Sequence, residues 1–171
     1  AGGVGTIALS LLGALGYQAV ALSGRPEHAE RLMALGASAV LPRDEFLAQP
    51  DKPLESARWA AAIDSAGGKI LSKLLKQVKY GGAVAAIGNA AGIELETNVL
   101  PFLLRAVTLI GIDSVMQPYA VRVAAWSRLA QTLDLAAYAD LIEEIGLEAL
   151  PDAATRILDG KVKGRVLVRL R

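Results

Sequence analysis

The sequence contains no cysteine and only one histidine, His28. The first absence excludes disulfides, thiolate nucleophiles and cysteine-based zinc sites, and is compatible with a cytoplasmic protein. The second excludes a multi-histidine metal centre. His28 stands in the charged run Pro26-Glu27-His28-Ala29-Glu30-Arg31, where a surface role fits better than catalysis. Aromatic residues are scarce, at 5%, so aliphatic side chains must build the core. Excess charge is missing as well: 18 Lys and Arg face 17 Asp and Glu, interspersed along the chain. Neither a nucleic-acid nor an acidic-membrane partner is indicated. There is no internal repeat, low-complexity tract or long linker. The length fits one domain.

Charge is wholly absent from residues 1–24. That length could span a bilayer. However, Gly13 and Gly16 interrupt it, the β-prone run Tyr17-Gln18-Ala19-Val20-Ala21-Leu22 changes its period, and neither a basic start nor a small-residue cleavage site marks a signal peptide. No membrane association is expected. The stretch opens instead with Ala1-Gly2-Gly3-Val4-Gly5-Thr6, runs into a helix-like segment over 7–15, then the strand, then Ser23-Gly24-Arg25. A glycine-rich turn that opens a helix and is followed by a strand is how a dinucleotide pyrophosphate is held. Glycines let the backbone approach the phosphates, and the helix N-terminus offers free N–H groups and a positive dipole end. Gly2 and Gly5 supply the last two glycines of G-x-G-x-x-G; the first, and the strand before it, would lie ahead of residue 1. The competing reading is that these small residues only let a helix sit close to a sheet.

The end of that strand bears on the cofactor. NAD-binding units place an Asp or Glu about 20 residues after the glycines to take the ribose hydroxyls. Here the place holds Ser23-Gly24-Arg25. A carboxylate would repel a 2′-phosphate, whereas a guanidinium and a hydroxyl bind it. NADP(H) is therefore expected over NAD(H). The alternative is that Arg25 is a solvated loop residue and Ser23 caps the next helix, near Pro26. Glu27 is the nearest acid and a competing ribose ligand, although a first helical turn suits it better.

Helices and strands alternate along the rest of the chain, which predicts α/β architecture with a parallel sheet covered on both faces. Helices are expected over 26–35, ended by Gly36, then 67–78, 101–105, 117–133, 136–144 and 151–158, ended by Gly160. A short turn of helix is expected from Asp44. Strands are expected over 39–41, 58–63, 83–87, 107–112 and 165–170, with a turn at Gly81-Gly82. Lys69, Lys73, Lys76 and Lys79 read as the solvated face of their helix. Asp64, at a strand end, reads as a partner for neighbouring N–H groups rather than as a base. Ligands in open α/β sheets lie outside the carboxyl ends of the strands. Gly88-Asn89-Ala90-Ala91-Gly92 is thus either a nicotinamide contact or an ordinary turn.

Gly-Gly-Val-Gly, Ser-Gly-Arg-Pro-Glu, Leu-Gly-Ala, Val-Leu-Pro-Arg-Asp-Glu, Ala-Ile-Asp, Tyr-Gly-Gly and Gly-Ile-Asp-Ser-Val-Met-x-Pro occur in that order. The set resembles the medium-chain dehydrogenase/reductase superfamily. Within it, the set is most similar to the zinc-independent YhdH-type branch of quinone oxidoreductases and acryloyl-CoA reductases, over essentially the whole chain. The resemblance implies a Rossmann domain, a doubly wound parallel sheet of order 3-2-1-4-5-6 whose first strand is missing here. It implies NADPH-dependent reduction of an activated C=C bond in an enone or enoyl-CoA substrate such as acryloyl-CoA. The alternatives are an NADPH quinone oxidoreductase or a non-catalytic nucleotide-binding protein. No metal is implied.

By position, Gly2, Gly3, Val4 and Gly5 would line the pyrophosphate, and Ser23 and Arg25 would hold the 2′-phosphate. Arg43 would flank the adenosine. Gly88, Asn89 and Ala90 would approach the nicotinamide ribose, with Asp113 and Ser114 near the same end. Arg165, in Lys-Gly-Arg, would lie close to the cofactor. No catalytic residue is assigned. The family pairs this domain with an N-terminal GroES-like catalytic domain, so the expected division is 1–146 for the nucleotide domain and 147–171 for a segment of the catalytic domain. The chain reads as part of a longer enzyme, inactive by itself, whose full form is a homodimer, with the apolar 107–110 strand as one edge for pairing.

Overall fold

The computed structural model describes residues 2–162 and 164–170. Ala1 of the glycine stretch, Lys163 of the Lys-Gly-Arg run, and Arg171 lie outside the described residues. The order of elements is α1 (Gly3–Ala14), β1 (Ala19–Ser23), a 3₁₀ turn (Pro26–His28) leading into α2 (Ala29–Ala34), β2 (Ala37–Pro42), α3 (Arg43–Ala48) and β3 (Trp59–Asp64). There follow α4 (Gly68–Leu75), β4 (Val78–Ala86), α5 (Leu100–Arg105), β5 (Thr108–Gly111), α6 (Tyr119–Thr132), β6 (Ile142–Gly146), α7 (Leu150–Leu158) and β7 (Arg165–Arg169). Every described strand pair is parallel: β1 with β2, β4 between β3 and β5, and β6 with β7. The mixed α/β class expected from alternation is therefore observed. Among the described residues no ladder joins β1 to β3, and Val20 and Ile63 on these two strands stay 39% and 46% exposed. β6 and β7 pair with each other across the expected division at 146–147.

Aliphatic side chains supply both cores. Leu9 of α1 packs with Ala19, Ala21, Leu32 and Ala37, and Leu71 and Leu75 of α4 pack with Val78, Val84 and Val107. Each large aliphatic side chain so buried contributes about 1.5–3 kcal/mol. α1 ends where Gly16 takes φ +80°. There the Gly16 amide donates to Gly13 O and the Tyr17 amide to Leu12 O, both at 2.9 Å, which satisfies carbonyls the helix leaves open. Close approach occurs at this end too. A Cβ on Gly13 would stand 3.1 Å from Gly36 Cα, and Ser10 Oγ donates to Leu35 O at 3.0 Å.

Three local expectations need correction. The 136–144 segment is not one helix: a 3₁₀ turn covers Leu135–Leu141 and strand β6 begins at Ile142. The β-branched Ile142 and Ile145 find parallel partners in β7, and tertiary pairing overrides local preference. Gly81 and Gly82 do not precede β4 but lie inside it, where the register with β3 shifts. The lysine row is not a solvated face, because Lys73 and Lys76 are 4% and 8% exposed. Residues 49–58 fold back over the end of α4. Lys73 Nζ donates to Glu55 Oε1 and Gln49 O, each at 2.9 Å, and to Pro50 O at 3.3 Å. Gln77 Nε2 donates to Glu55 Oε2 at 2.7 Å, and Gln77 Oε1 accepts from Trp59 Nε1 at 3.0 Å. Lys76 pairs with Asp51 at 2.7 Å, and Arg105 donates to the carbonyls of Lys76, Val78 and Glu55. The ionic groups of Lys73 and Glu55 have left water, so these additional bonds are what offset the loss of hydration.

Removing one partner of that pair strands the other. Lys73→Ala should lower stability by about 3–5 kcal/mol, whereas Lys69→Ala on the exposed side of α4 should stay within about 0.5 kcal/mol. Denaturant unfolding of both variants checks the contrast.

Candidate cofactor site

The N-terminus of α1 is open. Gly2 precedes the helix in an extended conformation, no side chain caps it, and its first turn holds no acid. Gly2 is exposed, with nothing within 4 Å of a Cβ built on it, so its small size serves no protein packing. The Gly13–Gly36 approach shows where α1 does need small residues, and it is the opposite end of the helix. What lies over the opening is a cation: the guanidinium of Arg165, from the start of β7, occupies the space a side chain on Gly3 would take. A guanidinium placed at the positive end of a helix dipole is unfavourable unless an anion is shared between them. Its Nη1 donates to the neighbouring Gly164 O at 3.1 Å.

Parallel pairing of β1 and β2 sets Ser23 beside Pro42, so both strands end at the same edge. Gly24 and Arg43 follow directly. The Arg43 guanidinium lies across Gly24, its Cζ 2.7 Å from where a Cβ would be, and it approaches Asp44 loosely, at 3.7 Å. Arg25 is exposed and lines a cavity of about 400 Å³ with Ile157, Gly160, Val162, Gly164, Arg165 and Val166. That volume falls in the range of ligand sites. Arg25 and Arg165 thus face one space, and among the described residues no acid lines it. Ser23 is 4% exposed, and its hydroxyl accepts from the Arg25 amide at 3.1 Å and donates to Arg25 O at 3.2 Å. It shapes the turn that presents Arg25 and does not cap the following 3₁₀ turn, whose cap position Arg25 occupies. Glu27 stays in that turn and approaches His28 Nε2 at 3.5 Å.

A second group gathers at the carboxyl ends of β3, β4 and β5. The Ile87 amide donates to Asp64 O at 2.8 Å and the Ile112 amide to Ala86 O at 2.9 Å, which places 87–90 between the two neighbouring strand ends. Gly88, Asn89 and Ala90 are exposed there. Asp113 and Ser114 follow β5, and Asp113 Oδ1 accepts from the amides of Val115 and Met116 at 2.8 and 3.2 Å. Asp64 is 3% exposed, and its Oδ2 accepts from the Gly67 amide at 2.8 Å. Burial pushes its pKa up, against the amides of Gly67 and Ala66, which favour the carboxylate. It serves neighbouring N–H groups, as read from its strand-end position.

Gly24, the contribution of Ile157, Gly160, Val162, Gly164 and Val166 beside Arg165 to the cavity, and the Asp64 turn were not singled out as site elements from the sequence. The Asp-x-x-Gly spacing of Asp64 and Gly67 is a local signal for the last. Nothing local announces the other two.

Parallel strands joined through helices, with the candidate residues at their carboxyl ends, define a Rossmann-type α/β domain. The chain belongs to the zinc-binding dehydrogenase family, whose model matches residues 3–135, within the medium-chain dehydrogenase/reductase superfamily. It is 48% identical to acrylyl-CoA reductase AcuI of Ruegeria pomeroyi over 98% of this chain and 51% of that protein. The crystal structure of Escherichia coli K-12 YhdH with bound NADPH has a TM-score of 0.92 at 49% identity, over 99% of this chain and 52% of that one. Bacillus subtilis YhfP, named as a quinone oxidoreductase, is 42% identical over 99% of this chain and 52% of its own length. Its structure with NAD bound has a TM-score of 0.92. The chain therefore spans about half the length of the curated relatives it matches. Although the family description names zinc, the sequence has no cysteine. Among the described residues no group of three His, Cys, Asp or Glu is placed to hold a metal ion.

If an anion belongs at the α1 opening, inorganic pyrophosphate at ten times its dissociation constant should stabilise the protein by about 1.4 kcal/mol. Arg165→Ala should weaken that binding about tenfold. A thermal-unfolding titration reads both.

Proposed function

We propose that this chain binds NADP(H) and forms the cofactor-binding part of a reductase that adds hydride to an activated C=C bond, of the acryloyl-CoA type. One observation supports the cofactor above the others: the uncapped α1 N-terminus and the Arg165 guanidinium converge, with no acid in the helix's first turn. The residues present fit the group. Amides at Gly3, Val4 and Gly5, with Gly2 clearing the approach, would take the pyrophosphate. Arg25, presented by the Ser23 turn, and Arg43, laid over Gly24, would take the 2′-phosphate and flank the adenosine. Gly88, Asn89 and Ala90, with Asp113 and Ser114 beside them, would meet the nicotinamide end.

When bound, the nicotinamide supplies the hydride, and the chain's own part is to bind, orient and neutralise charge. No proton donor or substrate-pocket residue is assigned within this chain. The names carried by the AcuI relatives support the enoyl thioester as substrate. The name of YhfP favours a second reading, reduction of a quinone on the same scaffold. A nucleotide-binding protein without catalysis would share the cofactor site alone. We assign 1–146 to the nucleotide domain and the remainder, through β7, to a catalytic domain, so that this chain by itself should not turn over substrate. Homodimer formation through β5 is part of the reading: its Ile110 and the adjacent Ile112 are 44% and 47% exposed, and an unpaired edge strand readily accepts another. Among the described residues no helix is long and apolar enough to cross a membrane, and we place the protein in the cytoplasm.

In the full-length protein, Arg25→Ala should weaken NADPH about tenfold or more and leave NADH unchanged. Competitive titration of the two nucleotides measures this, and an unchanged NADPH-to-NADH ratio removes the phosphate site. Rates on acryloyl-CoA should exceed those on small quinones; the reverse order selects the quinone reading.

A further inference from the structure

The loop at 88–92 has little side-chain mass of its own to define its shape. It is laid instead on the turn at 64–68, backbone against backbone. Besides the bond from Ile87 to Asp64, the Ala90 amide donates to Ser65 O at 3.3 Å and the Ala91 amide to Ala66 O at 2.7 Å. Gly67 and Gly92 form a bridge between the two segments. The fit leaves no room for side chains. A Cβ on Gly88 would stand 2.8 Å from Ser65 O, one on Gly68 would stand 3.1 Å from Ala91 O, and one on Gly67 would strike Gly92 O. The template is unusual backbone: Gly67 and Gly68 take φ of +67° and +55° in succession, a conformation that only glycine adopts at little cost. What holds the turn is the buried Asp64 carboxylate, bonded to the Gly67 amide at 2.8 Å.

We infer that Asp64 is a positioning residue for the 88–92 loop and, through it, for the nicotinamide end of the cofactor. Losing the carboxylate frees the Gly67 amide, the turn relaxes, and the face on which 88–92 is laid moves with it. Asp64 touches no cofactor atom in this role. The Arg25, Arg43 and Arg165 positions belong to other strand ends, so the phosphate contacts should not respond. The inference rests on the cofactor reading above, and it adds that adenine-end and nicotinamide-end binding are set by separate parts of the chain.

The test uses the full-length protein and two probes: NADPH, and 2′,5′-ADP, which carries the phosphorylated ribose without a nicotinamide. Asp64→Ala should weaken NADPH about tenfold and change 2′,5′-ADP less than twofold. Asp64→Asn, which keeps a carbonyl acceptor for the Gly67 amide, should recover most of the NADPH affinity. Gly88→Ala keeps Asp64 but wedges the two segments apart, and should reproduce the Asp64→Ala pattern even if that variant fails to fold. Equal weakening of both probes would show a merely structural role and overturn the inference, as would no weakening of either. If the unaltered protein binds neither probe, the cofactor reading falls and takes this one with it.

Discussion

Positive charge with no opposing carboxylate among the described residues is the constraint around which this end of the molecule is arranged. The open N-terminus of α1 carries the fractional charge of its free amides. Arg165 reaches it from the far end of the chain, and Arg25 looks into the same space. In water, each charge would be solvated separately at little cost. Held near one another by the backbone they repel, and a multiply charged anion would offset that repulsion. A folded protein that keeps such a cluster spends stability on binding. Glycine at positions 2, 3 and 24 is the steric counterpart of this electrostatic choice, since it leaves the approach clear at the first and lets a guanidinium lie over the backbone at the other two.

The same edge uses a different physical device a few strands away. Around 88–92 there is no cluster of charge; shape is set by carbonyls and amides in direct contact. Backbone laid on backbone is precise because it has no rotamers to choose from, and fragile because any added carbon atom displaces it. The buried Asp64 is an ionic group in that assembly, and burial pushes its pKa up. On the proposed reading, the two halves of the candidate site would divide recognition by charge from placement by steric fit.

Much of this was legible in the sequence. Alternation gave the parallel α/β class, glycine marked the ends of α1, α2 and α7, and the absence of an acid after Leu22 pointed to Arg25. What was hidden depended on distant partners. Lys73 looks like one of a polar row because helical spacing says nothing about Glu55, which lies in a separate loop. Strand β6 was hidden for a similar reason: its partner β7 lies beyond an intervening helix. Ser23 was identified as a site residue, yet its hydroxyl serves the turn itself. Gly24 appeared only as a spacer between two candidate residues, because its importance comes from Arg43 at the start of α3, just past the neighbouring strand.

The Lys73–Glu55–Gln77 network lies at the amino ends of β3 and β4, while every candidate ligand contact lies at or beyond the opposite edge or in the 157–166 segment. The polar bonds that lock the sheet in place and the groups proposed to choose a ligand are therefore not the same atoms. A lineage can exchange arginines and loop residues at the outer rim, and so drift between nucleotides or acceptors, without loosening the interior lock. Change within the lock has no such latitude, because a new residue at 55, 73 or 77 leaves its partners unanswered. Tolerance to mutation should accordingly run in a gradient across the molecule, from a permissive rim to an unforgiving base.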